Sequence, residues 1–84
     1  MPAISKFLGI VIMMYYDEYN PPHFHAKYQE QEGIFSLEGE IIDSDLPLKQ
    51  RRLVSEWARL HRCELYQNWD RMRNSYPPEN IDPL

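Results

Sequence analysis

Cysteine occurs once in these 84 residues, at Cys63, and glycine and histidine three times each. A single thiol excludes an intramolecular disulfide and a cysteine-built zinc cage, a usage that fits a reducing cytosol. Only histidine and carboxylate remain as metal ligands. No apolar run approaches the roughly 20 residues needed to cross a bilayer. The longest, Phe7 to Tyr16, has neither a basic leader nor a small-residue cleavage site and reads as a strand, not an export signal. Basic residues are scarce outside one stretch: Lys6 and Lys27 stand against ten acidic residues, a net of −8, while Pro47 to Arg73 holds seven basic and three acidic residues, a net of +4. An acidic body with one basic element lacks the continuous positive track that a long nucleic acid requires. It leaves room for a local contact with RNA or with an acidic partner. The expectation is a cytoplasmic chain forming one domain over residues 1–84, with a small core because so short a chain buries only a little over ~60% of its unfolded surface.

The most unusual chemistry lies in Asn20-Pro21-Pro22-His23-Phe24-His25. The proline pair fixes φ twice and removes two donors, making a stiff corner that leads into a strand. Residues two apart in a strand share a face, so His23 and His25 lie side by side with roughly 7 Å between their α-carbons. Ahead of the corner, Phe7 to Tyr16 is apolar on both period-two faces, which predicts one strand covered on both sides, with Gly9 marking a bulge or bend. The second cover would have to come from the tail or another subunit. Asp17 to Pro22 predicts a polar turn, His23 to Gln29 a second strand, Ile34 to Glu38 a third, and Glu40 to Asp43 a short fourth after a reversal at Gly39. Short connections favour an antiparallel meander. Asp43, Ser44 and Asp45 supply capping oxygens, Pro47 suits a first helical turn, and Ser75-Tyr76-Pro77-Pro78 ends a single helix near Arg73. The predicted fold is therefore α+β: an antiparallel meander of about four strands with one long C-terminal helix on one face. Glu79 to Leu84, with Ile81 and Leu84 as apolar anchors, is expected to lie extended over the sheet or a neighbour.

On that helix Leu53, Val54, Trp57, Ala58, Leu60, Leu65, Trp69 and Met72 form one broad face. His61 and Asn68 interrupt it, with Glu64 to the side. Buried polar groups must be matched, since an unpaired one costs ~1 to 3 kcal/mol. Two readings stay open: that His61 and Asn68 bond to the backbone of the first strand or to Tyr15 and Tyr16, or that they line a cleft with His23 or His25. Three histidines with Glu64 as orienter or base are the minimum for a metal site. Lys27 would repel a cation, however, and His23 and His25 point away from His61 if Phe24 and Tyr28 face the helix. No metal and no cofactor is expected. Histidine, glutamate, tyrosine and arginine are also the groups that metal-independent ribonucleases use, which makes His23, His25, His61, Glu64 and Arg62 the acid-base and phosphate-binding candidates.

Pro2, Ile4-Ser5, Phe7, Gly9-Ile10, Met14-Tyr15-Tyr16, Pro21 to Ala26, Glu56-Trp57, His61, Glu64-Leu65, Asn68-Trp69 and Ile81 to Leu84 together resemble the bacterial domain-of-unknown-function family numbered 4160. The resemblance implies a small stand-alone cytoplasmic protein, often encoded beside another small partner, in pairs frequently classed as toxin-antitoxin modules. Members often carry a further histidine just before the proline pair, where this chain has Tyr19, which weakens a histidine-rich metal site. Two functions follow as expectations. The first is an interaction module, self-associating or binding a small cognate protein, with Tyr15, Tyr16, Arg62 and Asn68 as binding candidates. The second is a small ribonuclease-type enzyme using His23, His25 and His61.

Overall fold

The computed structural model describes residues 3–16 and 20–84. Five strands, β1 (Ala3–Phe7), β2 (Ile10–Met13), β3 (His23–Tyr28), β4 (Gln31–Ser36) and β5 (Ile41–Ser44), form an antiparallel sheet in sequence order. Two helices follow, α1 (Leu48–Leu60) and α2 (Arg62–Arg73). Among the described residues no helix is long and apolar enough to cross a membrane. The α+β meander is as expected. Its details differ: five strands stand where about four were expected, and two helices replace one.

The extra strand comes from the long apolar run. Leu8 and Gly9 both have positive φ, +50° and +81°, the backbone of a two-residue type I′ hairpin, whose twist matches that of its flanking strands. Phe7 therefore ends β1 and Ile10 begins β2. The β3–β4 connection is equally tight: Gln29, at φ +54°, and Glu30 form the whole loop, so Gln31 to Gly33 lie in the strand and not in a turn. Of the expected polar turn at Asp17 to Pro22, positions 17 to 19 fall outside the described residues.

Register sorts the sheet into two faces. Ser5, Ile12, Ala26 and Gly33 form one row; Met13, His25, Ile34 and Asp43 form the next, on the opposite face. The first face meets the helices. Ile12, Ala26, Phe24 and Phe35 are buried there with Val54, Trp57, Ala58 and Leu65. Trp57 is central, its ring 5.6 Å from Phe7 and 5.7 Å from Phe24, which stacks on Phe35 at 5.5 Å. Gly39, at φ +87°, turns β4 into β5 so close under α1 that a Cβ would sit 2.7 Å from the Ser55 carbonyl oxygen. The Ser55 hydroxyl donates back to the Gly39 carbonyl at 2.7 Å. Farther along, Tyr66 donates to Glu38 at 2.8 Å. This bond raises the phenol pKa, with burial and the carboxylate charge adding to it.

The helical layer breaks at His61, whose φ of −115° and ψ of 26° leave the α region. Neither proline nor glycine is nearby. The buried positions of α1 end at Ala58 and those of α2 begin at Leu65. Between them Leu60, expected on the apolar face, is instead 67% exposed, and the imidazole of His61 sits at the rim.

The tail lies along the sheet's first edge. Ile81 donates its N–H to the Ile4 carbonyl at 2.7 Å and is buried, whereas Leu84 stays exposed. Tyr15 points its hydroxyl at the Met13 sulfur, 3.6 Å away.

A leucine in the left-handed region costs on the order of 1 kcal/mol that asparagine largely avoids. Leu8 is 65% exposed, so little packing is lost by replacing it. Leu8→Asn should raise stability by about 1 kcal/mol, read in a thermal melt as a rise of roughly 4–8 °C. An unchanged or lower midpoint would show that Leu8 contributes packing that offsets its backbone strain.

Candidate functional site

The diproline corner places His23 first in β3, and alternation carries His25 to the same face. Their rings meet edge to face with centroids 5.4 Å apart. Tyr15 meets His25 edge-on at 4.6 Å. Trp69 of α2 lies 5.6 Å from His23, so His23 stands at the rim, in contact with both the helical layer and the opposite face. His23 Nδ1 is 2.8 Å from the Pro21 carbonyl. A carbonyl only accepts, so Nδ1 carries the proton and Nε2 is the acceptor of the neutral ring. His25 Nδ1 lies 3.7 Å from Glu32 Oε1. The Trp69 indole N–H is buried with no hydrogen-bond partner among the described residues.

His61 belongs to a different place. Its ring lies 5.5 Å from Trp57 and its Nδ1 is 2.7 Å from Glu64 Oε1. Because a carboxylate accepts, Nδ1 is the donor and Nε2 keeps the lone pair, an orientation usable for proton transfer. The ring partner of His61 is thus Trp57 and not His23 or His25. The histidines form a pair and a separate His–Glu dyad. Among the described residues no group of three or more histidine, cysteine or acidic side chains is placed to hold a metal ion.

Asn68 is buried, at 2% exposure. Both ends of its amide are engaged: Nδ2 donates to the Glu79 carbonyl and Oδ1 accepts the Glu79 N–H, both at 2.8 Å. Trp57 Nε1 donates to the Asp82 carbonyl at 2.9 Å. Arg71 Nε donates to the Pro77 carbonyl at 2.9 Å. Asn68 is therefore matched by backbone, and that backbone belongs to the tail, not to the first strand or to Tyr15 and Tyr16. Tyr16 is exposed. Arg62 is also exposed, its guanidinium 5.7 Å from the Tyr66 ring.

Beside His25 a shallow cavity of 270 Å³ is lined by Glu32, Ile34, Asp43 and Asp45. Carboxylates repel a phosphodiester, so this setting does not support phosphate binding next to the histidine pair. The arginines lie elsewhere. Arg51, Arg52 and Arg59 border a groove of 390 Å³ between α1 and β5, together with Ile41, Leu48 and Glu56. The helical period groups Arg52 and Arg59 with Arg62 and Arg73 as a solvated or partner-facing surface, without Arg51. It does not join them to Ile41, because only the meander brings β5 beside the first turns of α1.

Fold and sites together define a small α+β domain in which a five-stranded meander is closed on one face by a broken helix and on one edge by its own tail. Residues 9–70 match the family model described as Domain of unknown function (DUF4160). The chain belongs to that family. No curated protein and no solved structure matches it.

Removing the Asn68 amide leaves the Glu79 N–H and carbonyl without partners and loosens the segment that seats Ile81. Asn68→Ala should cost about 2–3 kcal/mol, measured by urea unfolding. A loss below about 0.5 kcal/mol would show that the tail is held without this clamp.

Proposed function

We propose that the chain is an interaction module that engages a polypeptide partner, a second copy of itself or a small cognate protein, in the manner of one component of a toxin-antitoxin-like pair. The supporting observation is the inequality of the sheet's two outer edges. The β1 edge is engaged by the tail through Ile4 and Ile81. At the β5 edge Ile41, Ile42 and the neighbouring Leu48 are 48%, 50% and 52% exposed. Single exposed aliphatic residues are ordinary on a soluble domain, but Ile41 and Leu48 share one groove with three arginines, a surface of the kind that partners cover. The charge division supports the same reading, since a basic helix on an acidic body favours oriented encounter over diffuse binding.

Light scattering distinguishes the outcomes. The chain would be measured alone at micromolar concentration, and again after coexpression with the product of each gene adjacent to its own. A mass above the 10.1 kDa of one chain is expected in at least one of the two. A strict monomer in both would remove the reading.

A further inference from the structure

The groove between β5 and α1 combines three features. Its apolar wall is Ile41 and Leu48, and its rim is Arg51, Arg52 and Arg59 with a single opposing carboxylate, Glu56. None of the three arginines forms an ion pair among the described residues. Among the described residues Arg51 Nε is buried with no hydrogen-bond partner, an unmatched charged donor of the kind that proteins ordinarily satisfy. The helix end adds to the positive field of this groove. The first turn of α1 has no acidic residue, and its N-cap, Pro47, makes no side-chain cap. Lys49, Arg51 and Arg52 therefore add to the positive end of the helix dipole instead of balancing it.

We propose that this groove docks a short acidic segment of a partner polypeptide, one large apolar side chain seating on Ile41 and Leu48 while its flanking carboxylates pair with Arg51, Arg52 and Arg59. The proposal rests on the interaction reading above and names its surface and the partner's chemistry. Arginine forks match carboxylates two bonds at a time, so the rim selects for acidic residues and orients them. An RNA strand fits less well. Three cations are a short track, and the chain outside Pro47 to Arg73, at −8, repels a polyanion that extends beyond the groove. The chain's own acid-apolar-acid run, Glu79 to Asp82, is not the occupant, because Ile81 is buried against β1 and Glu79 is held by Asn68.

The test uses the full chain and a fluorescently labelled twelve-residue probe peptide with a central leucine flanked by glutamates. A control replaces every glutamate by glutamine, and a second probe is a twelve-nucleotide oligouridylate. Binding is followed by fluorescence anisotropy at low and high salt. The acidic peptide is expected to bind about tenfold more tightly than its glutamine counterpart, with the difference shrinking at high salt. Arg52→Glu/Arg59→Glu, at two exposed positions, should reduce binding on the order of tenfold or more without shifting the circular dichroism melt. Leu48→Ser should weaken both peptides alike. Equal binding of the two peptides, retention of binding by the double arginine variant, or tighter binding of oligouridylate would each overturn the proposal. The variant also separates this claim from the broader one. If it still forms the coexpressed complex, the groove is excluded and the interaction reading stands. If it loses only a self-associated dimer, the occupant is a second copy and the acidic partner is excluded.

Discussion

The indole of Trp57 sets the terms for the rest of the structure. It is fully buried between Phe7 and Phe24, and its N–H needs an acceptor that neither the sheet nor the helix offers, because their backbone groups are used in their own ladders. The Asp82 carbonyl supplies it. The chain 25 positions downstream is thereby tied by its backbone to the core's edge, with Ile81 buried and Asp82 exposed, and Asn68, one helix further on, fixes the same segment at Glu79. Of the two polar residues that interrupt the helical stripe, Asn68 holds the tail, whereas His61 bonds to Glu64. The tail in turn seals the β1 edge through Ile81. In so small a domain, where a few kcal/mol is the whole margin, such a strap is a large share of the stability.

Where local chemistry fixes the backbone, the sequence was informative. Gly39 marked the β4–β5 reversal, Pro47 the helix start and the residues around Ser75 its stop, and the spacing of His23 and His25 put both rings on one face. The hairpin at Leu8 and Gly9 was hidden because leucine is not a turn residue. Ten apolar residues in a row read as one strand when the turn inside them is formed by a residue under strain. The break at His61 was hidden for the opposite reason: no breaker is present, and the interruption reflects a gap in the buried stripe between Ala58 and Leu65. The partner of Asn68 could not be read from any period, because a side chain bonding to an extended tail eleven residues away leaves no repeating signal.

The same geometry decides which candidate chemistry gains support. Alternation along β3 gives His23 and His25 to the rim and the outward face, while His61 stays at the helix junction with Glu64. An acid-base site on RNA would need an anion-binding group near one of these pairs. Instead Glu32, Asp43 and Asp45 surround the cavity at His25. Arg51, Arg52 and Arg59 line the groove between β5 and α1, and none of them borders that cavity.

The two sheet edges are protected by different means, and the difference bears on how a partner would bind. β1 is engaged by the tail. β5 carries an irregularity: Ile34 pairs with Asp43 and Phe35 with Ile41, leaving Ile42 as an extra residue. A bulge twists an edge and disrupts its ladder, which discourages the simple addition of another strand. What β5 offers is therefore side chains more than backbone. Ile41 and Ile42 are exposed while the hydrogen-bonding template beside them is distorted, so recognition there depends on an apolar seat and on the arginines of α1. That combination favours a partner chosen by its sequence over any chain that is merely extended, and it lets an edge strand stay apolar without becoming a general template for aggregation.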